Sequence, residues 1–182
     1  MFRGWIRLDD RMTSGPVDWL AEYVAAEKHV PGQAVEWLRG LLGDRLVAVV
    51  LYGSRARGDH RPNSDWDLLV IAEGLPVDVW DRSRFFRGAP ILAQLQFMSK
   101  TPEEFESYLP AVYLDIGLDG QVLFDPGGYA AERLAKLHRI IAEAGLYREA
   151  VPGAGFIWDW DDPPPPGKWT IEWDFMDLGR AK

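Results

Sequence analysis

The sequence contains no cysteine, which excludes a disulfide framework, a thiolate zinc site and a cysteine nucleophile. Histidine is nearly as scarce: His29, His60 and His138 are scattered, and no two stand at a metal-ligand spacing. Positive charge is in short supply as well. Lys and Arg total 20 against 28 Asp and Glu, a formal net charge of -8. A protein that coats duplex DNA needs a basic face, so that mode is argued against. A small anionic ligand is still compatible with this balance, because a few converging arginines reverse the potential locally. Long apolar runs are missing too. No stretch approaches a membrane span, and the opening MFRGWIRLDDRM lacks the apolar centre of a signal peptide. The expectation is a soluble cytoplasmic protein with no membrane partner.

What is present suits one domain with a small appendage. The chain has 182 residues, 47% of them hydrophobic, enough to bury a core. Ser14-Gly15-Pro16 reads as a helix start, continued by Val17, Leu20 and Val24. A second helix is expected from Pro31 through Val35, Leu38 and Leu42 to the Gly43 stop. Leu46–Leu51 is a continuous β-branched run, a strand buried on both faces. A second such strand covers Trp66–Ala72, a helix Val77–Phe86, and a third strand Ile91–Met98. Thr101-Pro102-Glu103-Glu104 has the pattern of a capping box. A short helix from Pro110, a brief strand Gln121–Phe124 and an amphipathic helix Tyr129–Ala144 follow. From Pro152 the composition turns to Trp, Asp, Pro and Gly. There FIWDW and WTIEWDF alternate apolar and polar residues, as paired strands would, around the stiff spacer Pro163–Pro166. The fold class is mixed α/β.

The chemistry concentrates in LYGSRARGDHRPNSDWDLLV, residues 51–70. Gly53-Ser54 leaves a buried strand into a turn where glycine permits close backbone approach and N–H groups can meet phosphate oxygens. The two glycines are spaced as in a P-loop, but Asp59-His60 stands where Lys-Ser/Thr should follow, so this is not a Walker motif. Downstream, Asp65 and Asp67 flank Trp66 at the start of a strand and project to one side. Two such carboxylates repel, each raising the other's pKa unless a cation lies between them. Magnesium carrying triphosphate oxygens meets that requirement. The plainer alternative is a polar strand end, with Asp65 capping a turn and Asp67 meeting an arginine.

Gly53-Ser54, ten intervening residues, then Asp65-Trp66-Asp67 resembles the signature of the nucleotidyltransferase superfamily related to DNA polymerase β. The Gly-Ser-Arg-Ala-Arg-Gly form is similar to its minimal members, including those paired with HEPN-type toxins. The resemblance implies a mixed sheet with helices packed mainly on one face. It implies residues 1–150 as a nucleotidyltransferase-like domain with N-terminal helices, and 151–182 as a Trp/Pro-rich extension packed on it. It further implies Asp65 and Asp67 as catalytic ligands of Mg²⁺ or Mn²⁺, and Gly53 and Ser54 as the triphosphate cradle. Arg55, Arg57 and Ser64 join the nucleotide-binding set. The implied activity is transfer of an NMP, AMP from ATP, to an acceptor hydroxyl with release of pyrophosphate. A toxin-like protein, an RNA end and a small molecule are the acceptors in view, and homo-dimerisation is open.

That family places a third carboxylate on the next strand. Here the strand reads Ile91–Met98, and its spacing from Thr101-Pro102-Glu103-Glu104 makes Gln96 the first occupant of that position and Gln94 the second. Glutamine orients a hydroxyl or a water but takes no proton. Losing a positioned base costs roughly 10²–10⁴-fold in rate. The alternative to an enzyme is therefore a degenerate nucleotide-binding or antitoxin-type partner with little turnover. Glu103, Glu104 and Asp115 are the other carboxylates to consider. Arg82, Arg84 and Arg87 read as a solvated helix face, and Trp158-Asp159-Trp160 as a half-buried strand whose tryptophans cover either a domain edge or a partner.

Overall fold

A computed structural model describes residues 28–88, 95–151, 155–163 and 171–173. The expected helix over residues 14–28 and the start of the third strand, with Gln94, lie outside these residues. The chain runs α1 (Val30–Leu42), β1 (Leu46–Tyr52), α2 (Gly53–Arg57), β2 (Trp66–Ala72), α3 (Val79–Phe85) and β3 (Leu95–Lys100). It continues with α4 (Pro102–Glu106), α5 (Ala111–Asp119), β4 (Gln121–Phe124), α6 (Tyr129–Ala144), β5 (Leu146–Val151) and β6 (Gly155–Trp160).

Four strands form one sheet in the order β3-β2-β1-β4. β1 is antiparallel to β2 and β4, whereas β2 and β3 are parallel and joined through α3. The sheet is therefore mixed. The period of two along its central strands divides the core. Ala48, Val50, Leu69 and Ile71 face Phe105, Tyr113, Ile116, Leu137 and Ile140 from α4, α5 and α6. Val49, Leu51, Leu68 and Val70 face Ala34, Val35, Leu38 and Leu42 of α1, with Phe86 beyond. Leu38, Val49, Val70, Ile116 and Leu137 are completely buried, each contributing about 1.5–3 kcal/mol of transfer free energy. Three helices thus cover one face and one long helix the other. The first of these faces carries the site.

The α5–α6 contact depends on Gly117, where an added Cβ would lie 2.5 Å from Leu137 Cβ. Thr101 caps α4, its hydroxyl accepting from Glu104 N–H while the Glu104 carboxylate accepts from Thr101 N–H. Arg82 is not on a solvated face. It grips Glu104 through two hydrogen bonds of 2.7 and 2.8 Å and donates to the carbonyls of Pro76 and Ser99. That pairing holds the Glu104 carboxyl down at about 2. Its contribution to stability is complete above the ordinary carboxylate range and is lost as the pH falls toward 2.

β5 and β6 form a separate antiparallel hairpin, pairing Leu146 with Trp160 and Arg148 with Trp158. FIWDW therefore meets LYREAV, a partner its alternation did not name, and the hairpin straddles residue 150. Of the second segment, residues 171–173 are described and form no strand. Trp173 is buried, donating its indole N–H to the carbonyls of Phe105 and Tyr108.

Candidate active site

Tyr52 ends β1, Asp67 lies near the start of β2, and Gln96 near the start of β3. Tyr52 is paired with Asp67, and Asp67 with Gln96. Register partners point to one side of a sheet, so these three side chains line one face at one end of it. It is the face that α4, α5 and α6 cover. Asp65, two residues before Asp67, adds its charge to the same place. Burial first, and then the Asp65 charge, raise the Asp67 carboxyl above its ordinary pKa, while Arg57 opposes them. Burial and the Asp67 charge push the Tyr52 phenol up to about 12.

Gly53 makes this crowding feasible. Its φ of 74° is in the left-handed region, and a Cβ there would stand 2.4 Å from Asp67 Oδ2. The carboxylate rests against the glycine where any other residue would displace it. Gly53→Ala is expected to cost about 1–3 kcal/mol through backbone strain and overlap, read as a lowered Tm. Asp67 would also turn away, removing any stabilisation by magnesium and a nucleotide.

The turn from Gly58 to Ser64 aims Asp65. Arg61 N–H donates to Ser64 Oγ at 2.9 Å, and Ser64 N–H to the Arg61 carbonyl at 3.0 Å. Arg55, expected among the phosphate ligands, also braces the fold. Its guanidinium is buried under the turn, donates from Nε and a terminal nitrogen to the Ser64 carbonyl at 3.0 and 2.9 Å, and stacks 4.2 Å from the centre of the Trp66 ring. Arg55 therefore positions the Ser64–Asp67 segment. The Ser64 hydroxyl likewise serves the turn. Ser54, the second residue of α2, is half-buried, and its carbonyl accepts from the N–H groups of Gly58 and Asp59.

Among the described residues, Arg57 is the cation that acts on Asp67. Its Nε donates to Asp59 at 3.1 Å, and a terminal nitrogen lies 3.8 Å from Asp119. Other candidate bases are engaged elsewhere: Glu104 with Arg82, and Asp115 with Arg148 and the indole of Trp158. Glu103 is exposed on α4. Among the described residues no three carboxylates or histidines converge as a metal cage. The available donor set is two crowded carboxylates, with the Gln96 amide beside them. Two carboxylates with substrate oxygens in the remaining positions suit a magnesium ion.

The family model of the nucleotidyltransferase domain matches residues 34–116, from within α1 to within α5. That stretch, a little under half of the chain, is similar to the nucleotidyltransferase domain. All of the site residues named from the sequence fall within it. A Methanocaldococcus jannaschii protein, named as a candidate protein adenylyltransferase, is 49% identical over 45 residues, which make up 25% of this chain and 31% of that one. The chain thus matches about a third of that relative's length. Among solved structures, a Shewanella oneidensis complex of a tri-AMPylated HEPN toxin with its MNT antitoxin is 15% identical. The overlap covers 64% of this chain and 91% of that one, with a TM-score of 0.44. A candidate nucleotidyltransferase from Sulfolobus solfataricus is 24% identical, covering 63% and 93%, with a TM-score of 0.40.

Several residues around this candidate site carry no motif in the sequence. Tyr52 had a usable signal, since it continues the Ala48, Val50 alternation directly into Gly53. Asp119, Arg148 and Phe156, which surround Arg57, had none, because their meeting depends on where the hairpin docks.

Proposed function

We propose that this chain transfers an NMP, AMP from ATP, to an acceptor hydroxyl and releases pyrophosphate, with magnesium held by Asp65 and Asp67. The observation that carries this reading is the packing of the Asp67 carboxylate against left-handed Gly53 inside a nucleotidyltransferase domain. The name of the Methanocaldococcus relative favours a protein hydroxyl as acceptor, and a HEPN-type partner is the first one to try.

In this reaction the acceptor oxygen forms a bond to the α-phosphorus, the bond from that phosphorus to the bridging oxygen breaks, and the acceptor proton goes to water or a base. A bound divalent ion supplies charge neutralisation at the attacking and leaving oxygens. The protein's own part is positioning. Asp65 and Asp67 fix the ion's place through the Arg55-braced turn, Gly53 lets the chain approach closely, and Arg57 offers positive charge to the phosphates. Gln96, beside Asp67, can orient the acceptor hydroxyl.

The test incubates the protein with α-labelled ATP, magnesium or manganese, and candidate protein acceptors. The expected results are pyrophosphate release and a labelled acceptor. No release with any nucleotide and either metal would count against transfer. A second reading is favoured by Gln96 itself, since no described carboxylate replaces it. It is a nucleotide-binding partner with little turnover, recognised by thermal stabilisation with magnesium-ATP and no product.

A further inference from the structure

Arg57 differs from the other partly buried arginines. Arg82 and Arg148 each spend both terminal nitrogens on carboxylates. Arg57 donates one hydrogen bond, from Nε to Asp59, and among the described residues its two terminal nitrogens donate none. Yet its side chain is only 20% exposed. A guanidinium held in place with its donors unspent is arranged for an anion that comes and goes.

What holds it comes largely from outside the matched residues 34–116. The Phe156 ring on β6 lies 4.9 Å from the Arg57 guanidinium carbon and 4.4 Å from that of Arg148. Arg148 on β5 bonds both oxygens of Asp119 and also Asp115 at 3.1 Å, and Trp158 adds its indole N–H to Asp115. Asp119 thus spends its hydrogen bonds on Arg148 and makes with Arg57 only a longer ion pair of 3.8 Å. Gln121 ties the same corner to α2 through the Ala56 carbonyl.

We propose that the paired strands β5 and β6 are a working part of the nucleotide site, with Phe156 and Arg148 positioning Arg57 and keeping its terminal nitrogens open for the triphosphate. Phe156 supplies an aromatic face for the guanidinium, and Arg148 withdraws the competing carboxylate. Both are positioning residues. The inference rests on the nucleotidyltransferase reading of the site.

The experiment measures the dissociation constant of magnesium with a non-hydrolysable ATP analogue by calorimetry, on the full chain and its variants, with folding checked by circular dichroism. Phe156→Leu is expected to weaken binding about 5- to 30-fold, the range of a partly desolvated cation–π contact, while Phe156→Trp preserves it. In an Arg57→Gln background, Phe156→Leu should add nothing, because the two act through one group. Arg148→Gln should also weaken binding by freeing Asp119, and adding Asp119→Asn should restore it. Wild-type affinity in Phe156→Leu, or full additivity with Arg57→Gln, overturns the hairpin's role and leaves the site assignment standing. A wild-type chain that binds no triphosphate overturns both.

Discussion

Asp65→Asn and Asp67→Asn, made singly, are each expected to reduce nucleotidyl transfer by about 10³-fold or more, and together to abolish it. Neither variant should be stabilised by magnesium-ATP. The basis is the arrangement at the start of β2, where two carboxylates crowd one side of the strand and one of them rests against Gly53 with its pKa raised by burial and by its neighbour. A cation resolves that crowding, and an amide cannot attract one.

The same arrangement predicts a gain of stability in the absence of metal. A carboxyl whose folded-state pKa is raised favours the folded state below its ordinary range, and that advantage is lost as the pH rises through the raised value. In chelator, Asp67→Asn should therefore melt at or above the wild-type temperature at neutral pH and show a flatter dependence on pH. Loss of activity with unchanged or higher Tm identifies a metal position. Loss of activity with a lowered Tm identifies a structural carboxylate, and surviving turnover in the double variant removes the metal assignment.

The parts of the fold that were legible from sequence are those whose signal is local. β2 and β4 begin and end where their apolar runs do, α6 spans its amphipathic segment, and the Thr101–Glu104 capping box forms as its spacing requires. Gln96 pairs with Asp67 on a strand that leads into that box. The hairpin was not legible. LYREAV begins directly after the end of α6 and carries mixed polar residues. Alternation in FIWDW marks a half-buried strand without naming the strand it meets. Arginines show the same limit. Arg55 and Arg57 are two residues apart on one short helix, yet one is buried under a turn and the other holds unspent donors beside Asp67. Residue type alone does not separate a guanidinium that builds a loop from one whose terminal nitrogens donate no hydrogen bond.

Gln96→Glu is expected to raise the rate of transfer by about 10²-fold, toward the 10⁴-fold ceiling for a well-placed base. The substitution preserves size and reach, and the parallel register keeps the new carboxylate beside Asp67. Its exposure at the start of β3 makes desolvation a small cost. The added charge has consequences of its own. It would raise the Asp67 carboxyl further in the metal-free protein, lowering stability in chelator, and it would steepen the dependence on magnesium by completing a three-carboxylate set. A pH–rate profile should gain an ascending limb set by the new acid, while affinity for the triphosphate changes little. A rate that does not move means the acceptor proton already leaves by another route, and Gln96 then serves only to orient the acceptor. A wild-type chain that binds nucleotide without product, together with a Gln96→Glu variant that turns over, would identify this protein as a binding relative one side chain short of an enzyme.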